Sequence, residues 1–221
     1  MIETVFVPRG AEERAVRKGL ARARADVRVV TTGIGPFAAA RSADGALGFR
    51  PFGTALVTGL CGLLSPAFAV GDALLYDSVR RDGEAPIVLD RALAESLARR
   101  LGGVQTGIRA LASDAVVTSR QAKRALGLRY AADAVDMESY AIAQRLHRAR
   151  VAVAVLRVAS DGVLDDLPDV YRAFDGSGGI DRFALLLAML RKPRAGAQLA
   201  SNGLRALGAL QSAVYAIFRP R

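Results

Sequence analysis

The run VAVAVLRVAS, residues 151–160, decides the fold class of this chain. Its side chains are apolar at nearly every position rather than at alternate ones. A strand of this kind is buried on both faces, which is typical of a central strand covered by helices on each side. The run ends in Ser160-Asp161-Gly162, so a carboxylate follows directly after a buried strand. An acid at the end of such a strand is well placed for catalysis, and a turn-capping Asp is the alternative.

The rest of the chain repeats this alternation of strands and helices. Five further strand-like runs lie at residues 2–7, 27–33, 54–60, 72–79 and 104–113. Helical patterns occupy residues 11–24, 89–102 and 138–149. Strands that alternate with helices predict an α/β fold, here a single three-layer α/β/α domain around a central mixed sheet.

The C-terminal fifth differs in charge and pattern. Residues 180–221 contain seven basic side chains and one acid, in a chain whose net charge is +10. A Gly/Ser-rich break, FDGSGG at 174–179, separates this part from the strands, and apolar residues then recur every three to four positions. We predict an α/β domain over residues 1–175 and a basic amphipathic helical extension over residues 176–221. The extension either contacts an anionic surface or packs on the protein.

Composition excludes several kinds of chemistry. Cys61 and His147 are the sole cysteine and the sole histidine, so neither an internal disulfide nor a Cys/His metal site is expected. We expect no metal and no cofactor. The basic residues form no motif interleaved with aromatics, so nucleic acid is not the expected partner. The start of the chain lacks a signal-peptide pattern, which predicts a cytoplasmic protein.

Two glycine-rich stretches follow strands. TTGIGPFA (31–38) fits a loose dinucleotide-binding fingerprint, but no acid lies between Asp44 and Asp72, where such a site needs one for the ribose. The glycines there instead predict a close approach of the backbone to another group. VTGLCGLLSP (57–66) predicts either a tight turn or a backbone wall for a ligand.

The first strand is followed by PRGAEER (8–14), which opens the first helix. Arg14 lies in the first helical turn, beside free backbone N–H groups, where an anion binds favourably. The alternative is an exposed helix start, in which Glu12 and Glu13 serve the positive end of the helix dipole.

Two motifs together indicate a family. VDMESYAIA (135–143) is followed by LRVASDG (156–162) after about twenty residues, and both come after the glycine-rich strand ends. This arrangement, over residues 2–165, resembles the nucleoside phosphorylase and nucleosidase superfamily, which includes purine nucleoside phosphorylases and methylthioadenosine nucleosidases. The resemblance implies an enzyme that cleaves the N-glycosidic bond of a nucleoside and assembles as a homo-oligomer.

The resemblance also implies a role for each motif residue. Glu138 accepts hydrogen bonds from the ribose hydroxyls, as suits an acceptor-only carboxylate. Met137 lies against the sugar as an adaptable apolar surface, and Asp161 is the general acid at purine N7. The residues implied beside the purine are Val116, Val117 and Asp136, of which Asp136 is in a supporting position.

The nucleophile distinguishes two reactions within this family. Hydrolytic relatives have a run of acids after the first strand, and ungapped alignment puts Arg14 at the position of the last one. Phosphorolytic relatives have Gly and Arg four residues apart, as Gly10 and Arg14 are. We therefore predict phosphorolysis, with inorganic phosphate as co-substrate bound by Gly10, Arg14, Thr58 and Gly59. Leu60 departs from the family's Ser in this loop. Hydrolysis by water is the first alternative, and a non-catalytic nucleoside- or lipid-binding protein is the second.

The basic extension resembles that of the hopanoid-associated branch, the adenosylhopane phosphorylases. This resemblance implies release of adenine from an adenosyl group attached to a triterpenoid. Such a substrate partitions into membranes, and a basic amphipathic helix is suited to lie at a membrane surface. The expected location is the cytoplasm, with peripheral contact at the inner face of the membrane.

Overall fold

The computed structural model describes residues 2–168 and 193–220. Its strands are β1 (Thr4–Pro8), β2 (Arg28–Thr32), β3 (Thr54–Leu63), β4 (Ala73–Arg81), β5 (Ile87–Val88), β6 (Gln105–Ala112), β7 (Ala134–Asp136) and β8 (Ala152–Asp161). Its helices are α1 (Ala11–Ala23), α2 (Pro36–Phe49), α3 (Arg91–Ala98), α4 (Arg120–Tyr130), α5 (Ser139–Arg148) and α6 (Pro193–Phe218). The six predicted strands are confirmed, as are the three predicted helices. The sequence pattern did not predict β5, β7 and α4.

The strands form one mixed sheet, as predicted. Its order is β2-β1-β3-β7-β6-β4-β5, and β8 pairs with both β3 and β4. β8 is parallel to β3 and antiparallel to β4, so it has neighbours on both sides. The pairings close a ring of five strands, namely β3, β8, β4, β6 and β7. The run that is apolar on both faces is therefore a central strand.

Helices cover both faces of this sheet. One apolar cluster joins β3, β4 and β8 to the alanines of α2 and to Ile142 and Leu146 of α5. The other joins β1 and β8 to α1, α3 and α6. These two clusters confirm the three-layer α/β/α architecture.

The extension contributes its apolar face to the second cluster. Leu210 and Val214 of α6 are fully buried and belong to the same cluster as Val16 and Leu20 of α1. The two helices approach closely at Gly19, where an added Cβ would lie 2.7 Å from the carbonyl oxygen of Gln211. The sequence predicts two possible roles for the extension. The described part of the extension, α6, packs on the protein.

Part of the prediction for this region falls on residues that the structure does not describe. The boundary between residues 175 and 176 and the first part of the predicted helical extension lie within residues 169–192. In the two described ranges, no helix is both long enough and apolar enough to span a bilayer.

The sheet brings the candidate residues to one edge. β1, β3 and β8 run parallel, so their carboxyl ends lie together. The pairing of β3 with β8 is irregular there, because Cys61 pairs with Ala159 whereas Gly62 pairs with Asp161. Ser160 is the extra residue. A bulge of this kind redirects side chains at the end of a strand, and here it directs Asp161 toward the edge.

Candidate active site

A cavity of about 230 Å³ opens at this edge of the sheet. Six of the predicted site residues line it: Val116, Val117, Asp136, Met137, Glu138 and Asp161. They come from the loop after β6, from the β7–α5 junction and from the end of β8. The wall also contains Glu12 of α1 and Leu60 of β3.

Asp136 shapes the junction between β7 and α5. Its Oδ1 accepts hydrogen bonds from the backbone N–H groups of Glu138 and Ser139, at 2.9 and 2.8 Å. Its Oδ2 accepts from the Ser139 hydroxyl at 2.6 Å. Asp136 thus satisfies the free N–H groups at the start of α5 and holds the turn that presents Met137 and Glu138. Both oxygens of Asp136 are therefore used to hold the start of α5.

Glu138 is buried in the cavity wall, with 5% of its surface exposed. Its Oε1 accepts from the backbone N–H of Gly35 at 3.0 Å. Gly35 has a φ of +89°, which lets its N–H face the carboxylate at the start of α2. The close approach predicted for this glycine-rich stretch is therefore to Glu138. Burial raises the pKa of Glu138, and the neighbouring Arg157 opposes that rise.

Arg157 is the cation at the centre of the site. It is fully buried in β8, and its Nη2 donates to Glu138 Oε2 at 3.3 Å. Its Nε lies 3.5 Å from Asp136 Oδ2 and donates to the Ser139 hydroxyl at 3.2 Å. Burial alone would lower the pKa of Arg157, but the negative charges of Asp136 and Glu138 outweigh it and raise the pKa. Arg157 therefore holds both carboxylates in place.

Glu12 reaches the same cluster from the first turn of α1. Its Oε1 accepts from the backbone N–H of Leu60 at 2.6 Å. A Cβ at Gly59 would lie 2.7 Å from Glu12 Oε1 and 2.5 Å from Arg157 Nη1, so only glycine leaves room for both groups. Burial raises the pKa of Glu12 from 4.5 to about 7, against the lowering effect of Arg157. Glu12 can therefore gain or lose a proton near neutral pH.

Asp161, the predicted general acid, lies at the end of β8 in the cavity wall. It is buried, with 7% of its surface exposed. Its Oδ1 accepts from the Ser160 hydroxyl at 2.8 Å, and its Oδ2 accepts from Lys123 Nζ at 2.5 Å. A Cβ at Gly62 would lie 2.8 Å from Asp161 Oδ2, so glycine is also required beside this carboxylate.

The four residues predicted to bind phosphate do not line the cavity. Gly10 forms the turn into α1, with a φ of +109°, and Arg14 is exposed on α1. Thr58 is fully buried in β3, and its hydroxyl has no hydrogen-bond partner among the described residues. Gly59 lies behind the wall, against Glu12 and Arg157. A phosphate role for these four residues remains a prediction.

Sequence reasoning missed three residues of the site: Glu12, Lys123 and Arg157. Arg157 carried a signal, since an arginine inside an otherwise apolar strand must be paired when buried. The sequence offers Glu12 only the alternative role at the helix dipole, because the pattern does not show which residue of the first turn faces the sheet. Lys123 carried no signal, because α4 itself was not predicted.

The arrangement combines three chemical properties in one cavity. Glu138, fixed by Arg157 and Gly35, presents a carboxylate that accepts hydrogen bonds. Glu12 is a carboxyl group whose protonation changes near neutrality, as suits a general base. Asp161 lies at the carboxyl end of a central strand and lines the same cavity as the apolar Val116 and Val117.

Comparison with protein families gives one match. The model described as the phosphorylase superfamily matches residues 2–191. That match extends beyond residue 165, where the motif resemblance ends. No curated protein matches this sequence.

Solved structures share the fold at low sequence identity. A 5′-methylthioadenosine/S-adenosylhomocysteine nucleosidase from Helicobacter pylori, bound to butyl-thio-DADMe-Immucillin-A, aligns with a TM-score of 0.70 and 14% identity over 97% of this chain and 96% of its own. The Colwellia psychrerythraea nucleosidase in complex with adenine aligns at 0.65, with 17% identity and 96% coverage of both chains. Futalosine hydrolase from Helicobacter pylori aligns at 0.65, with 15% identity over 92% of this chain and 97% of its own.

Proposed function

Because this chain belongs to the phosphorylase superfamily, we propose that it cleaves the N-glycosidic bond of an adenosyl-type nucleoside, with water as the nucleophile. One observation carries the choice of water. Glu12, with a pKa of about 7, lines the cavity, whereas Arg14 is exposed on α1 and lies outside its wall. An ionised carboxylate activates water, while a phosphate nucleophile needs a cation in the wall.

In the proposed reaction, each carboxylate has one task. Glu138 accepts hydrogen bonds from the ribose hydroxyls, and Met137 packs against the sugar. Water attacks C1′ and gives its proton to Glu12 as the bond from C1′ to N9 breaks. The bonding electrons pass into the purine, whose N7 takes a proton from Asp161. The products are free adenine and a ribose with a hydroxyl on C1′.

The relatives support this proposal by their reactions. The similar structures named above are of two nucleosidases and a hydrolase, and one of them holds adenine. Each cleaves with water according to its name. Asp136, Val116 and Val117, which the family resemblance places beside the purine, line the same cavity as Glu12 and Glu138.

The dependence on phosphate tests the proposal directly. We expect the protein to release adenine from 5′-methylthioadenosine or adenosine at the same rate in phosphate-free buffer and in 10 mM phosphate, with chromatography of the products as the measurement. Arg14→Ala should leave the rate within about twofold in both buffers, because surface substitutions away from a site have small effects.

Ribose 1-phosphate as product, with a loss of rate in Arg14→Ala, would show phosphorolysis instead. Adenine binding without any cleavage would favour the non-catalytic nucleoside-binding protein.

We further propose that the 5′ substituent of the nucleoside is apolar, in line with the hopanoid-linked substrate that the extension implies. Phe37 lies three residues after Ile34 of the cavity wall, and Leu164 lies three residues before Leu167 of the same wall. Their side chains are 81% and 57% exposed, so both are available to contact an apolar substituent. Exposed Arg194 and Arg205 of α6 are available for an anionic surface.

Alkyl nucleosides test this substrate class. We expect kcat/KM for 5′-octylthioadenosine to exceed that for adenosine at least about tenfold, because even one methylene buried in an apolar pocket contributes on the order of 1–3 kcal/mol. The double variant Phe37→Ser and Leu164→Ser should remove most of the preference. Leu128→Ser is the matched control, since Leu128 is 86% exposed on α4 but does not line the cavity. Equal kcat/KM for both nucleosides would exclude an apolar 5′ subsite.

A further inference from the structure

Lys123 of α4 is fully buried. Its Nζ donates to Asp161 Oδ2 at 2.5 Å, to the carbonyl oxygen of Gly162 at 2.9 Å and to that of Asp165 at 3.2 Å. An ammonium group has three N–H donors, so these acceptors use all of them. Lysine is almost never fully buried without such partners. The ammonium is therefore held at one position behind Asp161.

Ser160 contacts the other oxygen of the same carboxylate. Its hydroxyl lies 2.8 Å from Asp161 Oδ1 and 3.1 Å from the carbonyl oxygen of Cys61. A hydroxyl has one hydrogen, and a carbonyl oxygen can only accept. When Asp161 is ionised, Ser160 donates to Oδ1. When Oδ1 carries a proton, the Ser160 hydroxyl can accept a hydrogen bond from it and donate to the Cys61 carbonyl oxygen, so Oδ1 has a partner in both protonation states.

We propose that Lys123 is a positioning residue for the proposed reaction, which it serves by fixing Asp161 Oδ2 so that Oδ1 is the oxygen that transfers the proton. The proton moves from Oδ1 to purine N7 as the glycosidic electrons enter the base. The negative charge left on Asp161 then lies beside the Lys123 ammonium, which balances it. The same ammonium also holds the backbone of the loop at Gly162 and Asp165.

Two substrates with different leaving groups test the proposal. Adenine leaves with a proton on the ring, whereas nitrophenolate leaves p-nitrophenyl β-D-ribofuranoside without one. We expect Lys123→Met to lower kcat/KM for adenosine about 10²-fold, the size of a typical general-acid contribution, and to lower it less than threefold for the nitrophenyl riboside. Lys18→Met, at an exposed lysine of α1, is the matched control. An equal loss on both substrates would show a merely structural role and overturn the proposal.

Asp161, the partner of Lys123, gives a second test. This test can be carried out even if Lys123→Met alone folds poorly. In the Asp161→Asn background, adding Lys123→Met removes both charges of the buried pair together. Because Lys123 acts through Asp161, this addition should lower adenosine cleavage less than threefold. A further 10²-fold loss on adenosine in that background would contradict the proposal.

Adenine binding separates failure of this inference from failure of the proposed function. Wild-type protein that cleaves neither substrate would refute the proposed function. Calorimetric titration with adenine then decides the role of Lys123, since Lys123→Met should weaken adenine binding about tenfold and Lys18→Met should not. An adenine affinity that is the same in Lys123→Met and wild type would overturn the inference.

Discussion

Glu12→Gln should lower kcat for adenosine cleavage about 10²–10⁴-fold, the usual range for loss of a general base. Glutamine keeps the shape of the side chain and cannot take the proton of the attacking water. Steady-state kinetics should show that KM changes far less than kcat, because Glu138 and Met137 still bind the ribose.

The role of Glu12 as a base also predicts the direction in which activity changes with pH. Glu12 is active as a base only when ionised, and burial raises its pKa to about 7. Wild-type kcat/KM should therefore rise with pH and reach half of its maximum near pH 7, because kcat/KM reports the ionisation of the free enzyme. The residual activity of Glu12→Gln should lack this rise.

Glu13→Gln is the matched control, since Glu13 is the next residue of α1 but its carboxylate accepts from Arg17 and Thr31 at 2.9 Å, outside the cavity wall. Its kcat should stay within about threefold of wild type, as for most surface substitutions. If Glu12→Gln retained full activity, another group would have to activate the nucleophile, and phosphorolysis would again be the better hypothesis.

Asp161→Asn should have an effect of similar size, about 10²–10⁴-fold on kcat for adenosine, because the purine then leaves without a proton from Asp161. Cleavage of p-nitrophenyl β-D-ribofuranoside should fall much less, since its leaving group needs no proton. Measurement of both substrates on one protein preparation controls for the amount of folded enzyme.

Asp166→Asn provides the control within the same loop. Asp166 accepts from the backbone N–H of Arg120 at 2.9 Å on the surface and does not line the cavity. Adenosine cleavage by this variant should remain near the wild-type rate. An Asp161→Asn protein that cleaves adenosine normally would exclude Asp161 as the proton donor.

Much of the fold could be predicted from hydrophobic periodicity. β8 is buried on both faces, and its unbroken apolar run shows this directly in the sequence. β7 has three residues and α4 has a single buried side chain, Lys123, so neither produces a periodic apolar pattern. Short elements and helices without an apolar stripe are therefore invisible to this kind of reasoning.

The residues of the site also differ in how well the sequence predicts them. Glu138, Met137 and Asp161 are recognisable because each lies in a short local motif. Residues two positions apart on a helix point in directions that differ by about 200°, so only one of Glu12 and Arg14 can face the cavity. The sequence alone does not show which of them does. Which of them faces the cavity depends on the turn at Gly10 and on the backbone N–H of Leu60, which receives the Glu12 carboxylate. Both are properties of the assembled sheet.

The packing of α1 against α6 has a consequence for synthesis of the chain. α1 carries Glu12 and is synthesised well before its neighbour α6, which is the last described element. Val16 and Leu20 therefore stay without their α6 contacts until Leu210 and Val214 emerge. Such a contact between distant parts of the chain slows folding, because closing the long loop between them costs entropy before the contact forms. The part of the α1 face that α6 covers therefore stays exposed until α6 has been made, although the acids of the site, from Glu12 to Asp161, are all synthesised earlier.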